Sequence, residues 1–314
     1  IDTVGVHSDA DADALHVAVM DRSVRLAGSS PATTYLRADL VLAAARDQLL
    51  ARHDREWGGF GGAPKFPQTM AIELLLRHHR RHGDPEALAA AVRSLDLMAA
   101  GGIHDHLGGG FARYSVDRQW LVPHFEKMLY DQALLGRVYL HAWQLTGEPR
   151  HRRVLADLVG YVLRDLRHPG GGFYASEDAD SEGEEGRFYV WTPSQVTEVL
   201  GRDGTDAADA LAWWGVTEAG NFEGATILNR LHGGQRARGA AGRPVAPGAS
   251  RPGRQGAHRV ERAHDRHPRR GGRRGGRTGL GRRRVGRGRA PPRPPPRRDR
   301  SVAAVVAGRR PRRP

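Results

Sequence analysis

Apolar residues recur at helical spacing from Arg37 onward, and glycine or proline closes each run. Leu40, Leu42, Ala43, Ala44, Leu49 and Leu50 form a stripe that predicts a helix ending near His53. Met70, Leu74, Leu75 and His78 share one face of a second helix over 68–81. A third is expected over 85–100, with Asp84 as N-cap, Pro85 in the first helical position and Gly101-Gly102 as the stop. A long fourth helix is predicted over 123–145, opened by Pro123 and closed by Gly147, and a fifth over 150–167, ended by Pro169 and three glycines. The period then changes: 173–175 and 187–191 read as two strands of a β-hairpin around an acidic loop. Thr192-Pro193-Ser194-Gln195 reads as a capping box opening a helix to Leu200, and a short helix is expected over 207–214. Residues 1–36, with acidic Asp9, Asp11 and Asp13, show little periodicity and predict an irregular segment without an assigned function.

Three Gly-Gly-Phe loops, ending at Phe60, Phe111 and Phe173, lie 51 and 62 residues apart. That period fits two helices plus loops, the unit of helical solenoids and toroids. Each phenylalanine is expected to plug the core between neighbouring hairpins, the bland alternative being a plain helix-stop loop.

Charge divides the chain. Residues 231–314 hold 26 Arg against three acids (Glu261, Asp265, Asp299), a net of +23; with +14 overall, residues 1–230 carry −9. The basic pI is therefore no argument that the body binds nucleic acid. The absence of cysteine excludes disulfides, thiolate metal sites and thiol nucleophiles. There is no long apolar run and no signal-peptide pattern, so a cytoplasmic location without membrane contact is expected.

Five blocks carry a family resemblance: Gly58–Pro67; Gly102–Phe111 with Arg113–Val116; Trp120–Asp131; Gly171–Gly183 running on to Phe188–Trp191; and Asn221–Asn229. They resemble the thioredoxin-domain-containing DUF255 family of spermatogenesis-associated proteins over about 40–230. The resemblance implies a thioredoxin-like domain, absent from this chain, before an (α/α)6 toroid similar to six-hairpin glycosidases and N-acylglucosamine 2-epimerases. The expected fold is all-α: an incomplete (α/α)6 toroid of helical hairpins with a small β-hairpin insertion. The expected division is 1–36 irregular, 37–232 partial toroid, and 233–314 a disordered Arg/Gly/Pro-rich tail.

That tail lacks Phe, Tyr, Trp, Met, Ile and Lys, so it cannot bury enough apolar surface to offset its chain entropy. Arg269–Arg277 resembles an RNA-binding arginine-glycine box, although no aromatic residues interleave to stack on bases. A slipped reading frame near His232 explains the composition better. The codons of 254–269, read one nucleotide later, accommodate DKVLTEWNGLMIATL, which resembles the block this family carries next. Sequencing the gene through that point decides between the two.

Polar residues in and beside the glycine loops are expected to line the toroid's hollow. Asp105 with His106, His124 with Glu126, and Asp178 are the candidate catalytic residues, because an acid beside an imidazole serves proton transfer and paired carboxylates serve glycoside hydrolysis. Arg113, Tyr114, Trp120, Lys127, Asp131, Glu177 and Asp180 are candidate ligand-binding residues, and Trp191 a further stacking candidate. The alternatives are that His104 and His106 bond the loop backbone, that Lys127 joins Glu126 and Asp131 in an intrahelical network, and that the aromatics pack the core. Glu182, Glu184 and Glu185 read as a solvated turn. The run from Asp178 starts like a calcium loop but has Tyr189 at the twelfth position, where a bidentate glutamate is needed, and no cofactor or metal is implied. Two classes of function follow: a carbohydrate-active domain, inactive in this truncated form, or a non-catalytic helical scaffold. Nonspecific RNA binding through the tail is a third.

Overall fold

The computed structural model describes residues 3–231, apart from 182 and 203–206. The tail and the point of the expected frame slip lie outside the described residues.

Residues 3–36 are ordered, correcting the expectation of an irregular segment. Val4–His7 pairs in parallel with Arg22–Arg25, joined through helix α1 (Leu15–Val19). Four-residue strands are too short to give a readable period. The acidic residues instead fasten turns: Asp9 Oδ1 accepts from Arg25 at 2.5 Å, and Asp11 Oδ2 from Ser8 and Tyr35, both at 2.6 Å.

The body is a set of helical hairpins. Helix α2 (Ala38–Arg52) precedes two hairpins, α3 (Thr69–His82) with α4 (Pro85–Ala100) and α5 (Leu129–Thr146) with α6 (Pro149–Tyr161). Asp84 caps α4 as expected, its Oδ1 accepting from the N–H groups of Glu86 and Ala87. Gly83 and Gly147 end α3 and α5 in the left-handed region, at φ 68° and 70°, so two-residue connections fold each pair back on itself. Helices α3 and α5 are clamped together by Glu73, which is 4% exposed and accepts from Arg77, Arg137 and His141. The core lies among these hairpins, around Leu75, Leu95, Met98, Leu135 and Tyr139. Helices α7 (Pro193–Arg202) and α8 (Ala207–Trp214) form a second cluster with Trp191. The Thr192–Gln195 capping box is reciprocal, at 2.9 and 3.3 Å.

Two local expectations are overturned. Helix α5 starts at Leu129, because Pro123–His124 pairs with Tyr114–Ser115 and Lys127–Met128 pairs with Ser176–Glu177. A proline that can open a helix also suits the start of a strand, and here distant partners take the backbone groups. His124, Lys127 and Asp131 therefore do not share a helix face. The predicted hairpin of 173–175 with 187–191 does not form; Val190–Trp191 pairs with Thr226–Ile227, and the local hairpin is Asp180–Ser181 with Glu184–Glu185.

The first two Gly-Gly-Phe loops are copies in atomic detail. Asp54 Oδ1 accepts from the N–H groups of Glu56 and Trp57, while its Oδ2 and the Gly58 carbonyl receive Lys65 Nζ, each at 2.8 Å. Asp105 Oδ1 accepts from Leu107 and Gly108, while its Oδ2 and the Gly109 carbonyl receive Lys127 Nζ, at 2.8 and 3.0 Å. The phenylalanines bridge to His53, His104 and Arg167 in turn. Phe60 and Phe111 are buried, but Phe173 is 48% exposed, so the third does not plug a core as expected.

Removing one partner of a buried ion pair strands the other, at about 3–5 kcal/mol. Lys127→Met is expected to cost that much in urea unfolding followed by tryptophan fluorescence. Lys65→Met should cost less, because Arg118 still grips Asp54 through both carboxylate oxygens at 2.7 Å. Equal costs would contradict this account of the loops.

Candidate functional site

A cleft of about 390 Å³ opens where the N-termini of α3 and α5 meet, lined by Phe66, Pro67, Gln68, Thr69, Met70, Ala71, Arg113, Tyr130 and Asp131. The glycine loops build it. Gln68, left-handed at φ 43°, turns the chain from the first loop into α3 and donates to the Phe60 carbonyl at 3.1 Å. Gln132 in α5 grips Phe111 in both directions, accepting its N–H at 2.9 Å and donating to its carbonyl at 2.7 Å. This sets Arg113 at the head of α5, where its guanidinium meets Glu126 at 3.0 Å.

Asp131 is out of balance with its surroundings. Its Oδ2 is buried and has no hydrogen-bond partner in the described structure. Desolvation pushes its carboxyl up to about 7; Arg113 opposes the rise and Glu126 adds to it. A carboxyl titrating near neutrality in a cleft can give and take protons.

A second arm continues from Arg113. Glu126 Oε2 lies 3.7 Å from His124 Nε2, and His124 Nδ1 is 2.7 Å from Glu185. The His124 ring stacks on Tyr114 at 5.1 Å, and Tyr114 on Phe66 at 4.9 Å. Five sequence-predicted residues thus come together: Arg113, Tyr114, His124, Glu126 and Asp131.

Of these five, Arg113 and Asp131 line the cleft itself and the other three connect to it through Arg113 and Phe66; the remaining candidates lie elsewhere. Asp105 is committed to Lys127 and two backbone N–H groups; although burial opposes ionisation, these partners hold its carboxyl at about 2. Lys127 is 3% exposed and sits 4.4 Å from the Tyr161 ring and 4.8 Å from the Tyr189 ring, so neither an intrahelical network nor ligand contact describes it. His106 meets the Gly101 carbonyl at 3.0 Å, and burial drives its pKa well down. His104 is likewise held neutral by burial, at about 4. Trp120 is fully buried, with its indole donating to Trp57, and Trp191 is 7% exposed, so both are core residues and not stacking platforms. Glu177 accepts from the Tyr161 hydroxyl at 2.7 Å, and Asp178 accepts from the Asp180 N–H at 3.2 Å. Glu182 lies outside the described residues. Among the described residues no cluster of three or more His, Asp or Glu is placed to hold a metal, and no helix is long and apolar enough to cross a membrane. Sequence reasoning missed Phe66, Met70 and Tyr130, which are 44%, 64% and 48% exposed at the cleft; apolar spacing cannot tell a cleft wall from a core.

The helical hairpins with their glycine loops can be set beside known proteins. The chain is 42% identical over 204 residues to mouse Spermatogenesis-associated protein 20, covering 59% of this chain and 26% of the mouse protein. The human protein of that name is 44% identical over 192 residues, covering 56% and 24%. Over this stretch the chain is similar to spermatogenesis-associated protein 20. It spans about a quarter of the length of these relatives. Residues 1–73 match the family model "Biotin carboxylase, N-terminal domain", a stretch that includes the parallel strand–helix–strand unit. Among solved structures, a sugar epimerase from a ruminal bacterium aligns at TM-score 0.39 and 16% identity, covering 55% of this chain and 52% of that one. A D-mannose isomerase aligns at 0.37 and 18%, covering 48% and 44%.

Asp131 also makes a stability prediction. Its folded pKa is raised, so the native state holds a proton the unfolded state releases, and the resulting stability is lost as pH rises from 3.8 to about 7. Asp131→Asn should therefore melt higher than the parent above pH 7, with the gap closing towards pH 4. A gap independent of pH would show that Asp131 titrates normally.

Proposed function

We propose that the cleft between the heads of α3 and α5 binds a sugar or glycan and works by proton transfer, as a carbohydrate-active domain of epimerase-like or glycosidase-like chemistry. The observation that carries this reading is Asp131, a carboxyl held near 7 in a cleft that also offers Arg113 and the exposed faces of Phe66 and Tyr130. Aromatic faces suit the C–H face of a sugar ring, and a guanidinium suits its hydroxyl or carboxyl oxygens. Asp131 gives a proton when protonated, His124 and Glu126 form the second proton-handling pair, and Tyr114 backs the His124 ring. Asp105, His106, Lys127 and Trp120 hold the loops and the core. Glu177 lies in the strand that pairs with Lys127–Met128, Asp178 and Asp180 follow it, and none of the three has a part in the proton step.

The alternative is a non-catalytic helical scaffold that uses the same cleft for binding alone. RNA binding through the tail rests on composition, and exposed Val159, Leu163 and Phe173 fit a fragment whose next hairpin is lost to a slipped frame.

The test is calorimetric titration with a panel of neutral and acidic mono- and oligosaccharides, followed by solvent-deuterium exchange into the bound sugar and assay of reducing ends. Arg113→Ala should weaken binding roughly tenfold, about 1.4 kcal/mol. Asp131→Asn should lower exchange or hydrolysis by roughly 10²–10⁴ while keeping the fold, and the wild-type rate should fall above about pH 7, where Asp131 loses its proton. Binding without exchange or hydrolysis would select the scaffold, and no binding by any sugar would end the reading.

A further inference from the structure

Both described glutamates of the turn after Asp180 are exposed, but they differ in their partners. Glu184 is 66% exposed in its side chain and pairs with Arg187 three residues on. Glu185 instead reaches across 61 residues of sequence, its Oε1 receiving His124 Nδ1 at 2.7 Å and the Phe125 N–H at 3.4 Å.

This placement is built into the chain. Glu184–Glu185 pairs with Asp180–Ser181, and the Gly186 N–H donates to the Ala179 carbonyl at 3.1 Å. Gly186 is left-handed at φ +75°, and a Cβ there would lie 2.3 Å from the Phe125 ring, so only glycine lets the turn close on that ring. Phe125 is 3% exposed and stacked on Tyr189 at 5.4 Å, which makes it a fixed anchor. On the other side of the imidazole, Glu126 is 3.7 Å from Nε2, beyond hydrogen-bond reach, and already receives Arg113 at 3.0 Å. Of the two carboxylates, Glu185 therefore takes the imidazole proton.

We propose that Glu185 is a positioning residue: by accepting the Nδ1 proton it fixes His124 in the tautomer whose Nε2 is a bare acceptor facing Glu126, the carboxylate that holds Arg113 at the cleft. The assignment rests on the proton-transfer reading of that cleft and adds its second half. In the step it implies, Nε2 takes a proton from the ligand while Asp131 gives its own to a ligand oxygen, so no net charge is gained. The imidazolium that forms lies between Glu185 and Glu126. A carboxylate that orients an imidazole in this way selects the tautomer as well as the angle.

The tautomer can be read without a ligand. Long-range proton–nitrogen correlation spectra of the full chain with labelled histidine, His124 being assigned through His124→Gln, are expected to show Nδ1 protonated and Nε2 bare at mildly alkaline pH. Glu185→Ala should convert the site mainly to the Nε2–H form, Glu185→Gln should keep the native tautomer through its carbonyl, and Gly186→Ala should act like Glu185→Ala while leaving the carboxylate in place. With a turned-over sugar in hand, Glu185→Ala should lower turnover roughly tenfold or more with little change in half-saturation. An Nε2–H form in the wild type, or a tautomer indifferent to Glu185→Ala, overturns the assignment. The native tautomer together with no sugar binding overturns the sugar reading and leaves the Glu185–His124 placement standing.

Discussion

A charged group taken out of water costs several kcal/mol unless a partner replaces its hydration, and the hairpin body is organised by where this condition is met and where it is not. It is met at the two glycine loops. Asp54 with Lys65 and Asp105 with Lys127 place ammonium groups, 0% and 3% exposed by residue, against carboxylates whose remaining lone pairs are taken by backbone N–H groups. Lysine also satisfies a carbonyl of each glycine turn, so one side chain fixes both the turn and the carboxylate. It is not met at Asp131, whose Oδ2 is buried without a partner at the cleft. The satisfied pairs fasten the loops, and the carboxyl with one unpartnered oxygen supplies a group that changes protonation near neutrality.

Much of the scaffold was legible because its signals are local. Asp84-Pro85, Thr192–Gln195 and Gly147 act through neighbours a few residues away, so α4, α7 and the turn after α5 could be read from sequence. What failed was non-local. Pro123 resembled a helix start, but Tyr114–Ser115 and Ser176–Glu177 claim the backbone before Leu129 as strand partners. The Gly-Gly-Phe repeat was plain; its aspartate and lysine were not, since Lys65 follows Phe60 by five residues and Lys127 follows Phe111 by sixteen. The same unequal spacing made Asp105 look catalytic, when the matching role of Asp54 shows what such an aspartate does. Glu185 was hidden because three acids within four residues read as one solvated turn.

The chain also joins unlike parts. A parallel strand–helix–strand unit over 3–36 precedes stacked helical hairpins, and the family model matching residues 1–73 differs from the relatives that the body resembles. The hairpin body ends with Phe173 exposed where Phe60 and Phe111 are buried.

The central claim is that the cleft holds a carboxyl tuned to neutral pH by burial. The most direct test is a carbon-13 titration of the aspartate carboxyl signals, with the Asp131 resonance identified by its loss in Asp131→Asn. The account predicts a midpoint about 7 for that resonance. A midpoint near the ordinary aspartate value of about 4 would contradict it and remove the acid on which the proposed chemistry depends.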